Sequence, residues 1–451
     1  MLSLPPEEMR RLGYRVVDRI VEHFERVGEL PPIRVGDAAE LRAALGGPPP
    51  EQPSDPDAVL DALFDQVLPY VQFGDHPRFF ARIGSPSNFA SVLGDAVASG
   101  FNVFGASWMG GSGPATLELV VLDWLRELCG LPAGTEGVLV SGGSVGTLVA
   151  LAAARTARFG DRAPDDAVAY VSSEGHVSIP RALRVLGFAP GQIRTLEADP
   201  DRRLSPAAVR AAVAEDRAPF CLVANAGTTS TGAVDPLPEL AAVCREHGLW
   251  LHVDGAYGGP AALCGAVTGL EHAASLVLDP HKWLFQPYEA GCVLVRGPGL
   301  LERTFGLHAA VLRDTLGGEV NFRDRSVQLS RTSRALKLWL SLRVFGVAAF
   351  REAIAHGIAL AEHAEATLRG RPGWEVVSPA QLAIVCFRRD GDDAHQTAIA
   401  AEMVRDGFAA PSTTEVGGRV ALRLCTINPR TTFEDIERTI ERMEAVSRSC
   451  A

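Results

Sequence analysis

The chain has only five tyrosines, and none follows Tyr288. No phenol beyond that point can move a proton. The eight cysteines are scattered, with no CxxC pair and no zinc-type spacing, so neither a disulfide framework nor a structural metal is expected. Cys129, Cys221, Cys244, Cys264, Cys292 and Cys386 sit mostly in apolar segments and read as core thiols in a reducing compartment, whereas Cys450 reads as exposed. Positive charge is in deficit: Lys and Arg number 43 against 54 Asp and Glu, a net charge of −11. That argues against nucleic acid or an anionic membrane as the main partner. No apolar run reads as long enough to span a bilayer. Prolines and glutamates follow Met1 too closely for a signal peptide, so a cytoplasmic protein is expected. What is plentiful is apolar sequence: 47% of 451 residues is hydrophobic, enough for two or three domains with a sizeable core.

The order of segments is that of an α/β protein. Met9, Leu12, Val16, Ile20, Phe24 and Val27 fall on one face of a helix, which Leu30-Pro31-Pro32 ends. A Gly- and Pro-rich stretch, residues 46–56, leads to a second helix near residues 58–71. These two helices have little core of their own and must pack on a partner subunit or on the chain's large domain. Residues 101–113 are dense in glycine and carry Trp108, and a helix follows over 114–129 with proline in its first turn. Residues 137–140, 167–171, 220–224, 249–253, 276–278 and 291–295 are apolar runs of strand length with helical segments between most of them. That alternation argues for a mostly parallel sheet. Residues 307–322 read as a mobile loop. An apolar helix over 333–345, a long helix from Arg351, short strands at 374–377, 384–387 and 420–424, and a closing helix over 433–446 suggest a small α+β domain.

Polar clusters follow the strand ends, where open α/β sheets place ligands. Ser141-Gly142-Gly143-Ser144-Val145-Gly146 follows the first strand and opens a helix. Backbone N–H groups and the helix dipole favour an anion there. The turn lacks the lysine of a nucleotide loop, and the dinucleotide spacing fails, so a single phosphate fits better. His176 follows the second strand and Asn225-Ala226-Gly227-Thr228-Thr229 the third. Asp254 ends the fourth, and Asp279-Pro280-His281-Lys282-Trp283 follows the fifth.

An aspartate and a lysine at neighbouring strand ends suit pyridoxal phosphate. That cofactor needs an amine for a Schiff base and a carboxylate to keep its ring nitrogen protonated. A lysine in a largely apolar pocket also loses its proton more readily. A surface lysine and a capping aspartate are the plain alternative. His252, Asp254 and His281 also match a two-histidine, one-carboxylate metal site, which the adjoining lysine and anion turn disfavour.

Taken together, HPRFF (76–80), SGGS (141–144), GHVSIPRA (175–182), NAGTTSTGAVDPL (225–237), WLHVDGAYGG (250–259) and DPHKWLFQPY (279–288) resemble the group II pyridoxal-phosphate-dependent decarboxylases. The nearest branch is that of the aromatic-L-amino-acid decarboxylases. The resemblance runs from about Leu12 to Val446. It implies fold type I, the aspartate-aminotransferase-like architecture. An N-terminal helical arm (1–85) would precede a large cofactor domain built on a mostly parallel sheet (86–340) and a small C-terminal α+β domain (341–451). It also implies a homodimer with shared active sites, pyridoxal 5'-phosphate as cofactor, no metal, and an L-amino acid as substrate.

Carried across by residue, Lys282 resembles the Schiff-base lysine, Asp254 the partner of the ring nitrogen, and His176 the imidazole stacked on the ring near the substrate carboxylate. These are the expected catalytic residues. Gly143, Ser144 and His281 match phosphate positions, Thr229 a threonine near the ring substituents, and Ala256 a residue packed on the ring. Asp235 matches a support for its loop. Arg82, Ile83, Phe104 and Arg423 are the expected substrate-binding positions, with Arg423 toward the substrate carboxylate. A surface ion pair is the plainer role for that arginine.

Two departures from the family pattern stand out. Where relatives carry a loop tyrosine that protonates the substrate carbanion, this chain has Val311, with His308 three residues earlier as a substitute acid. Arg82 and Ile83 replace aromatic side chains of the aromatic branch. The expected reaction is decarboxylation of an aromatic or other bulky L-amino acid to its amine. Decarboxylation coupled to oxidative deamination, giving an aldehyde, is the alternative. Aminotransferase chemistry, or a cofactor-binding partner without turnover, would be other classes.

Overall fold

The computed structural model describes residues 2–307 and 319–450. His308 and Val311, with most of the loop expected at residues 307–322, lie outside the described residues. Seven strands form the central sheet: β1 (Thr135–Val140), β2 (Ala167–Ser172), β3 (Ile193–Leu196), β4 (Ala218–Asn225), β5 (Trp250–Asp254), β6 (Ser275–Leu278) and β7 (Gly291–Arg296). Their order is β1-β7-β6-β5-β4-β2-β3. Strands β2 to β6 are mutually parallel, and β7 runs antiparallel to β1 and β6. β5 and β6 are buried along nearly their whole length, which is why they read as unbroken apolar runs.

A second sheet is wholly antiparallel. It comprises β8 (Trp374–Gln381), β9 (Ile384–Arg389), β10 (Ser412–Val416) and β11 (Arg419–Cys425) in the order β10-β11-β9-β8. Its own core includes Leu360, Ile399, Met403, Leu424, Ile440 and Met443, supplied partly by the helices Asp393–Asp406 and Phe433–Ser449. A mostly parallel sheet with a small antiparallel one is the fold type I arrangement.

The helix Ala335–Arg369 serves both cores, and it corrects one expectation. It is long and apolar enough to cross a membrane by length and composition, with mean hydropathy 1.4 over its most apolar window. Gly346, at φ 75, breaks it into two segments. Leu338 and Phe350 are buried in the central core, and Leu360 and Ala364 in the small one, which accounts for the apolar composition.

Two further expectations shift. The helix placed at 114–129 begins earlier, at Trp108, and runs to Leu128. Ser107 caps it, its Oγ accepting from the Gly110 N–H at 3.1 Å, and a non-helical Gly111 separates the first turn from the part that Pro114 opens. Cys450 is half-buried against the small-domain core rather than exposed.

The arm helix Pro6–Arg26 has no buried residue. Phe24 packs edge-on against Phe89 and lies under the Arg430 guanidinium. Arg11, Arg15 and Arg19 form ion pairs with Asp57, Asp61 and Asp65 of the helical segment over residues 56–67. Met9, Tyr14, Val17 and Val21 remain exposed.

Candidate active site

The register of β5 on β6 sets the centre of the site. Asp254 pairs with Val277, and the chain leaving β6 turns at once into the short helix Pro280–Trp283. Lys282 N–H donates to the Asp279 carbonyl at 2.8 Å, and Asp279 N–H to the Ala256 carbonyl at 3.0 Å. The loop after β5 and the turn after β6 are thereby laced together. Lys282, Asp254, His176, Gly143, Ser144, Thr229, Ala256 and His281 all line one cavity of about 320 Å³, together with Asn225, Asp279 and Glu289. That volume suits a small ligand, since such pockets span roughly 300–1,000 Å³.

The residues present fit pyridoxal phosphate. The helix Gly143–Phe159 begins at the cavity, where the first N–H groups have no partner within the helix. A Cβ added at Gly143 would lie 2.9 Å from Asp279 Oδ2 and 3.1 Å from the Ala256 Cβ. One added at Gly291 would lie 2.5 Å from the Gly142 Cα. The turn is therefore bare backbone because side chains have no room, and bare backbone is what a phosphate needs. A buried ion pair braces the strand before it. Arg331 lies 2.8 Å from Glu118 and donates to the Leu139 carbonyl, and Glu118 accepts from the Leu139 N–H.

His176 Nδ1 accepts from the Ser178 N–H at 3.2 Å and contacts Ser178 Oγ at 2.8 Å. A neutral ring therefore carries its proton on Nε2. Burial lowers the His176 pKa against the pull of Asp254, which keeps the ring neutral. His281 Nδ1 likewise accepts, from the Ala290 N–H at 3.2 Å, and its Nε2 lies 3.6 Å from Asp279. Asp254 Oδ1 accepts from the Ala256 N–H at 3.1 Å.

The expectation that Lys282 sheds its proton readily needs correction. Burial pushes its pKa down, but Asp279 and Asp254 more than offset this, and the net direction is up. Lys282 Nζ lies 3.0 Å from Asp279 Oδ2.

Asp235 is buried and accepts from the N–H groups of Leu204 and Asn225, each at 2.7 Å. It holds the start of the Thr229 loop, as expected. His252 does not line the cavity. It contacts Ser275 Oγ at 2.9 Å, and burial lowers its pKa to about 4. The two-histidine, one-carboxylate reading thus loses a ligand.

Arg82, Ile83, Phe104 and Arg423 also do not line the cavity. Arg82 is exposed, Ile83 half-buried and Phe104 exposed. Arg423 is buried, donating to the carbonyls of Ser230 at 3.1 Å and Arg82 at 2.5 Å, so a surface ion pair does not describe it. Asp279 is the residue that sequence reasoning passed over. It is buried, and its Oδ1 has no hydrogen-bond partner among the described residues. Its position directly after a buried strand was the only signal available.

Residues 40–390 match the family model of the pyridoxal-dependent decarboxylase conserved domain, and the chain belongs to this family. It is accordingly a pyridoxal-phosphate-dependent carboxy-lyase of amino acids. It is 44% identical to the aromatic-L-amino-acid decarboxylase of Bacillus atrophaeus, over 99% of this chain and 97% of that one. It is 33% identical to phenylacetaldehyde synthase of Petunia hybrida, over 85% of this chain and 80% of that one. The crystal structure of Oryza sativa TDC with PLP and tryptamine superposes with a TM-score of 0.93 at 28% identity, covering 100% of this chain and 99% of that one.

Proposed function

We propose that the chain decarboxylates an aromatic L-amino acid and releases the corresponding amine. The observation that carries this reading is the convergence of Lys282, Asp254 and His176 on one cavity at the strand ends. The 44% identity with an aromatic-L-amino-acid decarboxylase over nearly the full length supports the substrate class. When bound, pyridoxal phosphate supplies a ring that takes up the electrons left at the substrate's Cα as carbon dioxide departs. Lys282 provides the amine that holds the cofactor. Asp254, steadied by the Ala256 N–H, keeps a proton on the ring nitrogen. His176, with Nδ1 engaged by Ser178, has Nε2–H left to orient the substrate carboxylate. Gly143, Ser144 and His281 hold the phosphate, and Thr229 and Ala256 flank the ring.

In this reading residues 1–85 are an arm, 86–340 the cofactor domain and 341–451 the small domain. Arg82, Ile83, Phe104 and Arg423, which lie outside the cavity of the single chain, are the expected substrate-binding positions of a homodimer with shared sites. The eight free cysteines support a reducing, cytoplasmic setting.

A second reading has its own support. Val311 stands where the resemblance places a proton-donating tyrosine, and phenylacetaldehyde synthase is among the relatives. With dioxygen as the oxidant and one water consumed, the products would then be an aldehyde, ammonia, carbon dioxide and hydrogen peroxide. Incubating the purified holoenzyme with all common L-amino acids, and scoring carbon dioxide, amine, aldehyde and peroxide, separates the two. Amine without peroxide from aromatic substrates supports the first reading. Aldehyde with peroxide replaces it with the second, and no carbon dioxide from any substrate overturns both.

A further inference from the structure

Tyr257 is where three loops of the site meet the small domain. It directly follows Ala256, lines the cavity and is 2% exposed. Its ring stacks on the Trp283 indole, with centroids 5.0 Å apart and planes 9° from parallel. The backbone of the loop over residues 225–229 presses on it as well, since a Cβ at Gly227 would fall 2.8 Å from Tyr257 Cδ1. The phenol oxygen reaches the turn between β8 and β9, where it accepts from the Ala383 N–H at 2.9 Å. Ala383 is itself held, because its carbonyl accepts from the Thr426 N–H at 2.9 Å. Leu382 sits at φ 50 in the same turn, and its Cδ1 lies 2.7 Å from where a Gly258 Cβ would be. Burial pushes the Tyr257 pKa well above the usual 10, so the phenol stays neutral.

The segment that carries Lys282 needs outside support. The helix Pro280–Trp283 is four residues long, a single turn that does not hold itself together in water. Lysine adds a flexible four-carbon stem, so the backbone beneath it is what the fold can fix. The start of the turn is tied by the Asp279 N–H, which donates to the Ala256 carbonyl at 3.0 Å. Its end is Trp283, fully buried, whose Nε1 has no hydrogen-bond partner among the described residues. No polar contact of its own orients the indole. The stack on Tyr257 does so, and the Ala383 N–H orients Tyr257.

We propose that Tyr257 is a positioning residue for Lys282: through the Trp283 stack it passes the seating of the β8–β9 turn to the turn that carries the lysine, so that the small domain sets where the amine stands in the cavity. This rests on the proposed role of Lys282, and the test keeps the two apart. Tyr257→Phe keeps the ring and its volume and removes the bond to Ala383. In the holoenzyme, the visible circular dichroism of the lysine-bound band, measured per bound cofactor, should weaken. With an aromatic substrate kcat should fall about tenfold while KM changes less than about twofold, because misplacing a reacting group by about 1 Å costs up to about 10²-fold. Tyr170→Phe is the control for stability alone. It removes another buried phenol, which donates to Asp216 Oδ2 at 2.7 Å and does not line the cavity. It should lower the urea midpoint and leave the dichroism and kcat unchanged.

Native dichroism and native kcat in Tyr257→Phe overturn the proposal, and so does an equal change of both in Tyr170→Phe. If Tyr257→Phe does not fold, Leu382→Gly decides. Glycine accepts φ 50 without strain and removes only the side chain that packs on Gly258. Loosened from that side, the turn should give the same weakened band and the same loss in kcat, and native values there overturn the proposal. A band that still forms in Lys282→Ala overturns the role of Lys282 itself, whatever Tyr257 does.

Discussion

Lys282 Nζ and Asp279 Oδ2 are 3.0 Å apart, an ion pair formed three residues along one turn and shut away from solvent on the aspartate side. Burial alone would lower the pKa of the amine, and the Asp279 and Asp254 carboxylates more than reverse that. An ammonium cannot attack an aldehyde, so covalent capture must wait for the neutral fraction. With pyridoxal as probe, the rate at which the cofactor-free chain forms its lysine-bound absorption band should therefore climb with pH, about tenfold per unit while the ammonium dominates. Stopped-flow absorbance from pH 7 to 9 measures this, with Lys282→Ala as a blank that shows no band. A rate independent of pH over that range would mean that the amine is already free.

Asp254 is a separate matter, because it faces the ring nitrogen rather than the amine in the proposed arrangement. Asp254→Ala should keep weak cofactor binding through Lys282 and the anion turn. It should lose carbon dioxide release by several orders of magnitude, since nothing then holds a proton on the ring. Full activity in that variant removes the carboxylate from the mechanism.

How much of this was legible in the chain depends on where each feature's cause lies. β5 and β6 are apolar because they are covered on both sides, and Asp254 and Lys282 mark their ends, so both strands and residues are plain in the sequence. β3 and β10 are edge strands with half-exposed side chains, and neither leaves an apolar run. The helix Ala38–Leu45 is short, has no buried residue and depends on the Asp37 cap. Trp108 was hidden among glycines, and its helical start depends on Ser107 and on Asn321, distant in sequence. The charge on Lys282 follows from folding: Asp279, three residues back, and Asp254, from another strand, close on its amine only once the turn after β6 has formed. Asp279 lay in plain view, but its buried unpartnered oxygen exists only once the glycine turn is folded against it.

Stability should fall on mild acidification, and buried histidines give the sign. His76 and His252 are buried, and burial lowers each pKa from 6.5 to about 4. Between those values the unfolded chain binds protons that the native chain refuses, so acid favours unfolding. The slope is at most about 1.4 kcal/mol per pH unit for each histidine. Urea midpoints should drop as pH falls from 6.5 toward 4. His252→Gln should flatten that dependence even if it is less stable at pH 8. An unchanged pH dependence in that variant would mean that other groups carry the acid sensitivity.

Position 311 tests the fate of the substrate carbon. Valine has no proton to give, and a positioned general acid is typically worth about 10²–10⁴-fold in rate. If the missing acid lets the electron-rich carbon persist long enough to meet oxygen, the native chain should make some aldehyde and peroxide from aromatic substrates. Val311→Tyr should then shift the product toward amine and suppress peroxide, with carbon dioxide release changed far less than the product ratio. His308 offers a control, because as a substitute acid its loss in His308→Ala should shift the ratio toward aldehyde. Chromatographic amine-to-aldehyde ratios, with oxygen uptake followed in parallel, distinguish the cases. An identical ratio in native and Val311→Tyr enzyme would place control of the carbon elsewhere, in the walls that admit oxygen rather than in the residue that delivers the proton.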